Sequence, residues 1–174
     1  QPKAIYGTLK TLHDAKGDQL AEYPALVAAL CVVHDQPLTR YLNENKVGSP
    51  DVVGLFEFYV KNEKRMLFGL TKVPAELLVW AVDSTSPIEE MQWANDKFMG
   101  NRKVGSLFFQ IEYDYDHLRK GTPKKVTKAG YSLPNILKHG GVCIDQAYFA
   151  VMVGKSLGVP TALVSAQSAE VGHA

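Results

Sequence analysis

Gly140-Gly141-Val142-Cys143-Ile144-Asp145-Gln146-Ala147 sets two glycines before a cysteine and a long apolar helical pattern after it. Two glycines allow a tight backbone approach, and the thiol then falls in the first turn of a helix. Unpaired N–H groups and the positive end of the helix dipole gather there, and both favour a thiolate over a thiol. A cysteine in that place is expected to be acidified and reactive. Its backbone N–H can also point at the oxygen of a carbonyl under attack, which supplies half of an oxyanion hole. Gln110, Tyr113, Tyr115, Trp93 and His139 are all chemically able to supply the second donor.

Downstream, Ala147, Phe149, Ala150, Val151, Val153 and Leu157 cover most of a helix surface, so the helix from Cys143 to Leu157 is expected to be packed on several sides. Gly158 and Pro160 stop it, Thr161 to Val164 reads as a short strand, and the chain reaches His173 thirty positions after Cys143. Histidine has the right proton affinity to take the thiol proton and return it to a leaving group. The helix, Gly-Val-Pro turn and strand can fold His173 back past the helix start, which makes it the favoured base over His139. Asp145 reads as charge complementarity at a helix N-terminus, with support of the Cys143 loop as the other reading.

The run GGVCIDQAYFAVMVGKSLGVPTALVSAQ, followed by Gly172-His173-Ala174, resembles the transglutaminase-like family. Shared features are a Gly-x-Cys-x-Asp start, a helix, a Gly-Val-Pro turn and a His-Ala segment, within about the last 35 residues. The resemblance implies an α+β, papain-like fold in which the nucleophile helix packs on an antiparallel sheet. It implies catalysis by Cys143 as nucleophile and His173 as general base and acid, with a peptide or protein substrate offering a glutamine or other amide carbonyl. The family's third member, an Asp or Asn, lies on the strand after the histidine, and the expectation is that the domain continues past Ala174. Water as acceptor would make the protein a peptidase or amidase, and a lysine amine would make it a cross-linking transferase. The alternative is a non-catalytic transglutaminase-like module that binds peptide or protein in the same cleft.

The preceding part, 1–139, reads as mainly helical and belongs with 140–174 to a single domain spanning 1–174. Pro24 to Val33 is apolar almost throughout and reads as a buried helix carrying Cys31 as a small hydrophobe. Ser49-Pro50 is read as the cap and first turn of an amphipathic helix, Pro74 to Val82 as a further helix with a strand as the alternative for so short an apolar run, and Ser86-Pro87-Ile88-Glu89 as a capping box opening a helix that ends at Gly100. Leu107 to Tyr113 is aromatic and β-branched enough to read as a buried strand. The acids and aromatics from Glu112 to His117 read as an exposed edge rather than a metal site, and Arg119 to Lys128 as a solvated basic loop.

Composition narrows the partners. The net charge is +1 with both signs interleaved, so no broad basic face is expected and nucleic acid is not a predicted partner. No apolar run approaches the roughly 18 residues of a membrane span. Two cysteines without Cys-x-x-Cys spacing do not make a zinc site. Gly154-Lys155-Ser156 ends like a phosphate-binding loop, but Phe149 stands where that loop needs glycine. No cofactor or metal is implied.

Overall fold

A computed structural model describes residues 2–164 and the backbone of 166–167 and 172–173. The fold is α+β, predominantly helical with two small antiparallel β-ribbons. Helix α1 (Pro2–Lys16) passes through a 3-10 turn (Gly17–Glu22) into α2 (Pro24–Val33). A hairpin of β1 (Thr39–Leu42) and β2 (Asn45–Gly48) follows, pairing Thr39 with Gly48 and Leu42 with Asn45. Then come α3 (Val52–Asn62), α4 (Ala75–Val82) and α5 (Ile88–Phe98). A longer 3-10 turn (Val104–Gln110) precedes α6 (Tyr115–Lys120), α7 (Lys125–Ala129), α8 (Leu133–His139) and α9 (Cys143–Ser156). Strands β3 (Ala166–Gln167) and β4 (Gly172–His173) form the second ribbon, with Ala166 opposite His173.

Two apolar clusters hold these elements. One gathers Leu12, Leu26, Leu30, Leu55, Phe56, Tyr59 and Leu78 from α1 to α4. The other gathers Leu107, Ile111, Ile136, Phe149, Met152 and Val153 around α9. Helix α9 is the centre of the second cluster, in contact with α4, α5, α8 and the 3-10 turn Val104–Gln110. Its apolar residues face several neighbours at once, as the sequence requires of a helix hydrophobic almost all round.

Helix α9 is tied to α4 by Lys155, whose side chain is fully buried and pairs with Asp83. The same ammonium donates to the carbonyls of Trp80 at 2.5 Å and Thr161 at 2.6 Å. Arg40 meets the other Asp83 oxygen at 2.7 Å. The Gly-Val-Pro turn is therefore fixed by a side chain of the helix it terminates. Gly158 has φ +69, and a Cβ there would lie 2.8 Å from Met66 Sδ, a place and a conformation that favour glycine.

Several expectations are corrected. Leu107 to Tyr113 is not a strand: Leu107 and Ile111 are buried while Phe109 is 83% exposed, a spacing of four that suits a helical turn. Thr161 to Val164 forms no strand, because the Thr161 amide and hydroxyl bond to Trp80 and Val151 carbonyls instead of a neighbouring strand. Ser49 does not cap α3: its hydroxyl accepts the Leu38 amide beside the hairpin, and Asp51 caps α3 by accepting the Gly54 amide at 2.8 Å. Ser86 does not cap α5 either. Its buried hydroxyl meets that of Tyr148 at 3.3 Å, and Pro87 occupies the cap position. Among the described residues no helix is long and apolar enough to cross a membrane.

Candidate active site around Cys143

The start of α9 is built by three chain segments meeting at two glycines. Helix α8 ends at His139, and Gly140 turns the chain with φ +76 while its amide bonds back to Ile136. A Cβ on Gly140 would lie 2.3 Å from the Glu112 carbonyl oxygen, and one on Gly141 would lie 2.5 Å from Asp145 Cβ. Neither position admits a side chain. The close approach lets Gly141 donate to the Glu112 carbonyl at 3.0 Å and accept from the Asp114 amide at 2.9 Å. This forms a single parallel bridge between Tyr113 and Gly141.

Val142 is extended and serves as the cap residue, so Cys143 opens the helix, half-buried. The Asp145 carboxylate reaches back and accepts the Val142 amide at 2.8 Å. That carboxylate is wholly buried and is satisfied by further donors: Lys124 Nζ at 2.7 and 3.0 Å and the Tyr131 hydroxyl at 2.8 Å. Burial, followed by the neighbouring Asp145 charge, pushes the Tyr131 hydroxyl far up. It therefore stays protonated and remains a donor. One helical step on, Gln146 donates to the Ile111 carbonyl at 2.8 Å and holds α9 against the chain leading to Tyr113.

Tyr113 is the aromatic group brought to Cys143. Its hydroxyl is pushed up by burial first and then by the charge of Cys143, with a hydrogen bond from the Cys143 backbone working in the opposite direction. Its ring leans on that of Tyr115 at 5.0 Å between centroids, and Arg119 lies 5.1 Å from the Tyr115 ring. The other proposed donors are placed differently. Trp93 is partly buried at the edge of the second cluster, edge-on against Phe98 at 5.9 Å. Gln110 is exposed at the end of its 3-10 turn, and its side chain bonds to no described residue. His139 is half-buried at the end of α8, likewise without a side-chain hydrogen bond to a described residue.

The backbone of His173 lies in β4, and its side chain is outside the described residues. Cys31 and Cys143 are both free thiols; burial pushes the Cys31 thiol up, as a structural cysteine requires. Beside Cys143, one turn along α9, Ala147 enters an apolar groove of about 370 Å³ shared with Phe108, Phe109, Val151 and Leu163.

Two features were missed by reading the sequence. Lys124 belongs to the run expected to be a solvated loop, yet it is fully buried against Asp145. Asp114, expected on an exposed edge, is buried, caps α6 by accepting the His117 amide and also accepts the Lys125 amide. Both are polar residues in a polar stretch, without an apolar period to mark them as interior. The nearest sequence signal is the apolar Val126 close by, which is fully buried.

No family model, curated protein or solved structure matches the chain closely enough to name a family.

Proposed function

We propose that the chain carries a papain-like, transglutaminase-like acyl-transfer site with Cys143 as nucleophile and His173 as general base and acid. The observation that carries the reading is the position of Cys143, half-buried at the first residue of a tightly held helix. First-turn amides favour the negative charge that develops on sulfur and on oxygen during acyl transfer. Resemblance to the transglutaminase-like family supplies the assignment of His173.

In the reaction the Cys143 sulfur bonds to the carbonyl carbon of an amide, and the carbonyl electron pair moves to oxygen. The Cys143 amide and the Tyr113 hydroxyl are the donors for that oxyanion. Collapse breaks the C–N bond as His173 delivers the proton it took from the thiol to the departing nitrogen, leaving a thioester. Water or a primary amine then attacks the thioester and restores the thiol. A glutamine side chain in a peptide suits this chemistry because its leaving group is ammonia, and the groove past Ala147 offers a place for an apolar neighbour.

The test is incubation of the chain with a glutamine-containing peptide and a fluorescent primary amine, read by amine incorporation and ammonia release. Incorporation lost in Cys143→Ala supports transfer, and ammonia release without incorporation supports hydrolysis. Absence of both, with Cys143 unmodified, favours the non-catalytic binding module.

A further inference from the structure

The Asp145 carboxylate presents a problem at a thiolate site. It sits two residues after Cys143, wholly buried, and an unbalanced negative charge there would oppose ionisation of the sulfur. Its hydrogen bond to the Val142 amide is nonetheless what closes the turn that presents Cys143. Lys124, arriving from the segment between α6 and α7, resolves the conflict. Its ammonium contacts both carboxylate oxygens at 2.7 and 3.0 Å and is itself wholly buried. Its charge is held 5.4 Å from the Tyr131 ring centroid, and Tyr131 donates to the same carboxylate oxygen that lies nearer Lys124.

We infer that Lys124 is a positioning and charge-balancing residue of the Cys143 site. It cancels the Asp145 charge so that the carboxylate can hold the Val142 amide without suppressing the thiolate. The inference rests on the reading of Cys143 as a nucleophile. Other titratable or charged side chains on the segments packed around Cys143 are Glu112, Tyr113 and Asp114 before α6, Tyr115 at its first position, and Lys138 and His139 in the last turn of α8. Of these, Asp114 is buried but is engaged by the His117 and Lys125 amides, and Lys125 lies 3.7 Å from it.

The experiment is the rate of Cys143 alkylation by iodoacetamide against pH, in the full chain and in variants whose fold is checked by circular dichroism. In Lys124→Met the Asp145 carboxylate loses its buried counter-charge, and the inference requires the alkylation profile of Cys143 to move to higher pH. At neutral pH the rate falls on the order of tenfold for one nearby uncompensated charge. Asp145→Asn removes that charge and does not move the profile upward. A positioning role without charge balance would slow both variants alike.

An unchanged profile in folded Lys124→Met, or an upward shift in Asp145→Asn, overturns the inference. If Lys124→Met loses its fold, the double variant Lys124→Met/Asp145→Asn buries no lone charge and takes its place. It is expected to fold and keep the wild-type profile, and an upward shift in it overturns the inference. The shift is read relative to the wild type, so this result is separate from whether the chain turns over a substrate.

Discussion

Gly141 and Asp145 approach so closely that a Cβ on the glycine would lie 2.5 Å from Asp145 Cβ and 2.7 Å from Oδ2. The carboxylate that closes the turn before Cys143 therefore depends on glycine at this position. Gly141→Ala is expected to cost about 1–3 kcal/mol through overpacking. In Gly140→Ala the left-handed backbone adds about 1–3 kcal/mol more. Urea unfolding measures both, with Gly105→Ala as control, since a Cβ there meets nothing within 4 Å. Costs no larger than the control's would show that the turn can relax.

Tyr113 is expected to act in the transition state rather than in substrate binding. Tyr113→Phe keeps the ring and removes the donor, so kcat for amine incorporation should fall by about 10²–10³-fold while KM barely changes. Alkylation of Cys143 forms no oxyanion and should stay near the wild-type rate. A loss of alkylation equal to the loss of turnover would instead assign Tyr113 to holding the cysteine.

Lys155 makes stability depend on pH in the alkaline range. Burial outweighs the attraction of Asp83 and lowers this lysine to about 8 from an ordinary value of 10.5. Between those values the unfolded chain binds the proton that the folded chain has released, so stability rises with pH. Relative to Lys155→Met, the wild-type Tm should gain as pH climbs from about 8 to 10.5, and it should show no such gain below that window. A flat difference across the window would mean that Asp83 holds the ammonium charged throughout.

His34 acts at the acid end. Burial pushes its imidazole down, outweighing the hydrogen bond between its ring Nε2 and the Val82 carbonyl at 2.9 Å. The neutral form is favoured in the folded chain, so stability is full above the ordinary value of 6.5 and is lost as pH falls below it. Thermal unfolding from pH 7 to pH 5 should show a steeper fall for the wild type than for His34→Gln. Parallel curves would remove His34 as the cause.

Helix α2 was legible as a nearly continuous apolar run, α3 from apolar residues recurring at helical spacing, α9 from apolar residues covering most of a helix surface, and α5 from Pro87 and Glu89 at its start. The apolar run of α4 was too short to separate helix from strand. The β1–β2 hairpin was not, since each strand has four residues and buries only one, Leu42 in one and Asn45 in the other. Leu107 to Tyr113 misled because its composition favours a strand, while the burial of Leu107 and Ile111 against α9 imposes a turn. At the site, the glycine pair and Cys143 could be read locally. Lys124 could not, because what makes it interior is a carboxylate 21 residues away.

The proposed pairing of Cys143 as nucleophile with His173 as base rests on the reactivity of the thiol. Its most direct test is the pH dependence of alkylation by limiting iodoacetamide, with mass-spectrometric mapping of Cys143 and Cys31 in the folded wild type and in His173→Ala. A paired thiolate is expected to give rapid labelling of Cys143 below pH 7, with little labelling of buried Cys31 and loss of the low-pH reactivity in the variant. Slow labelling of Cys143 with the profile of an ordinary thiol, unchanged in His173→Ala, would contradict it.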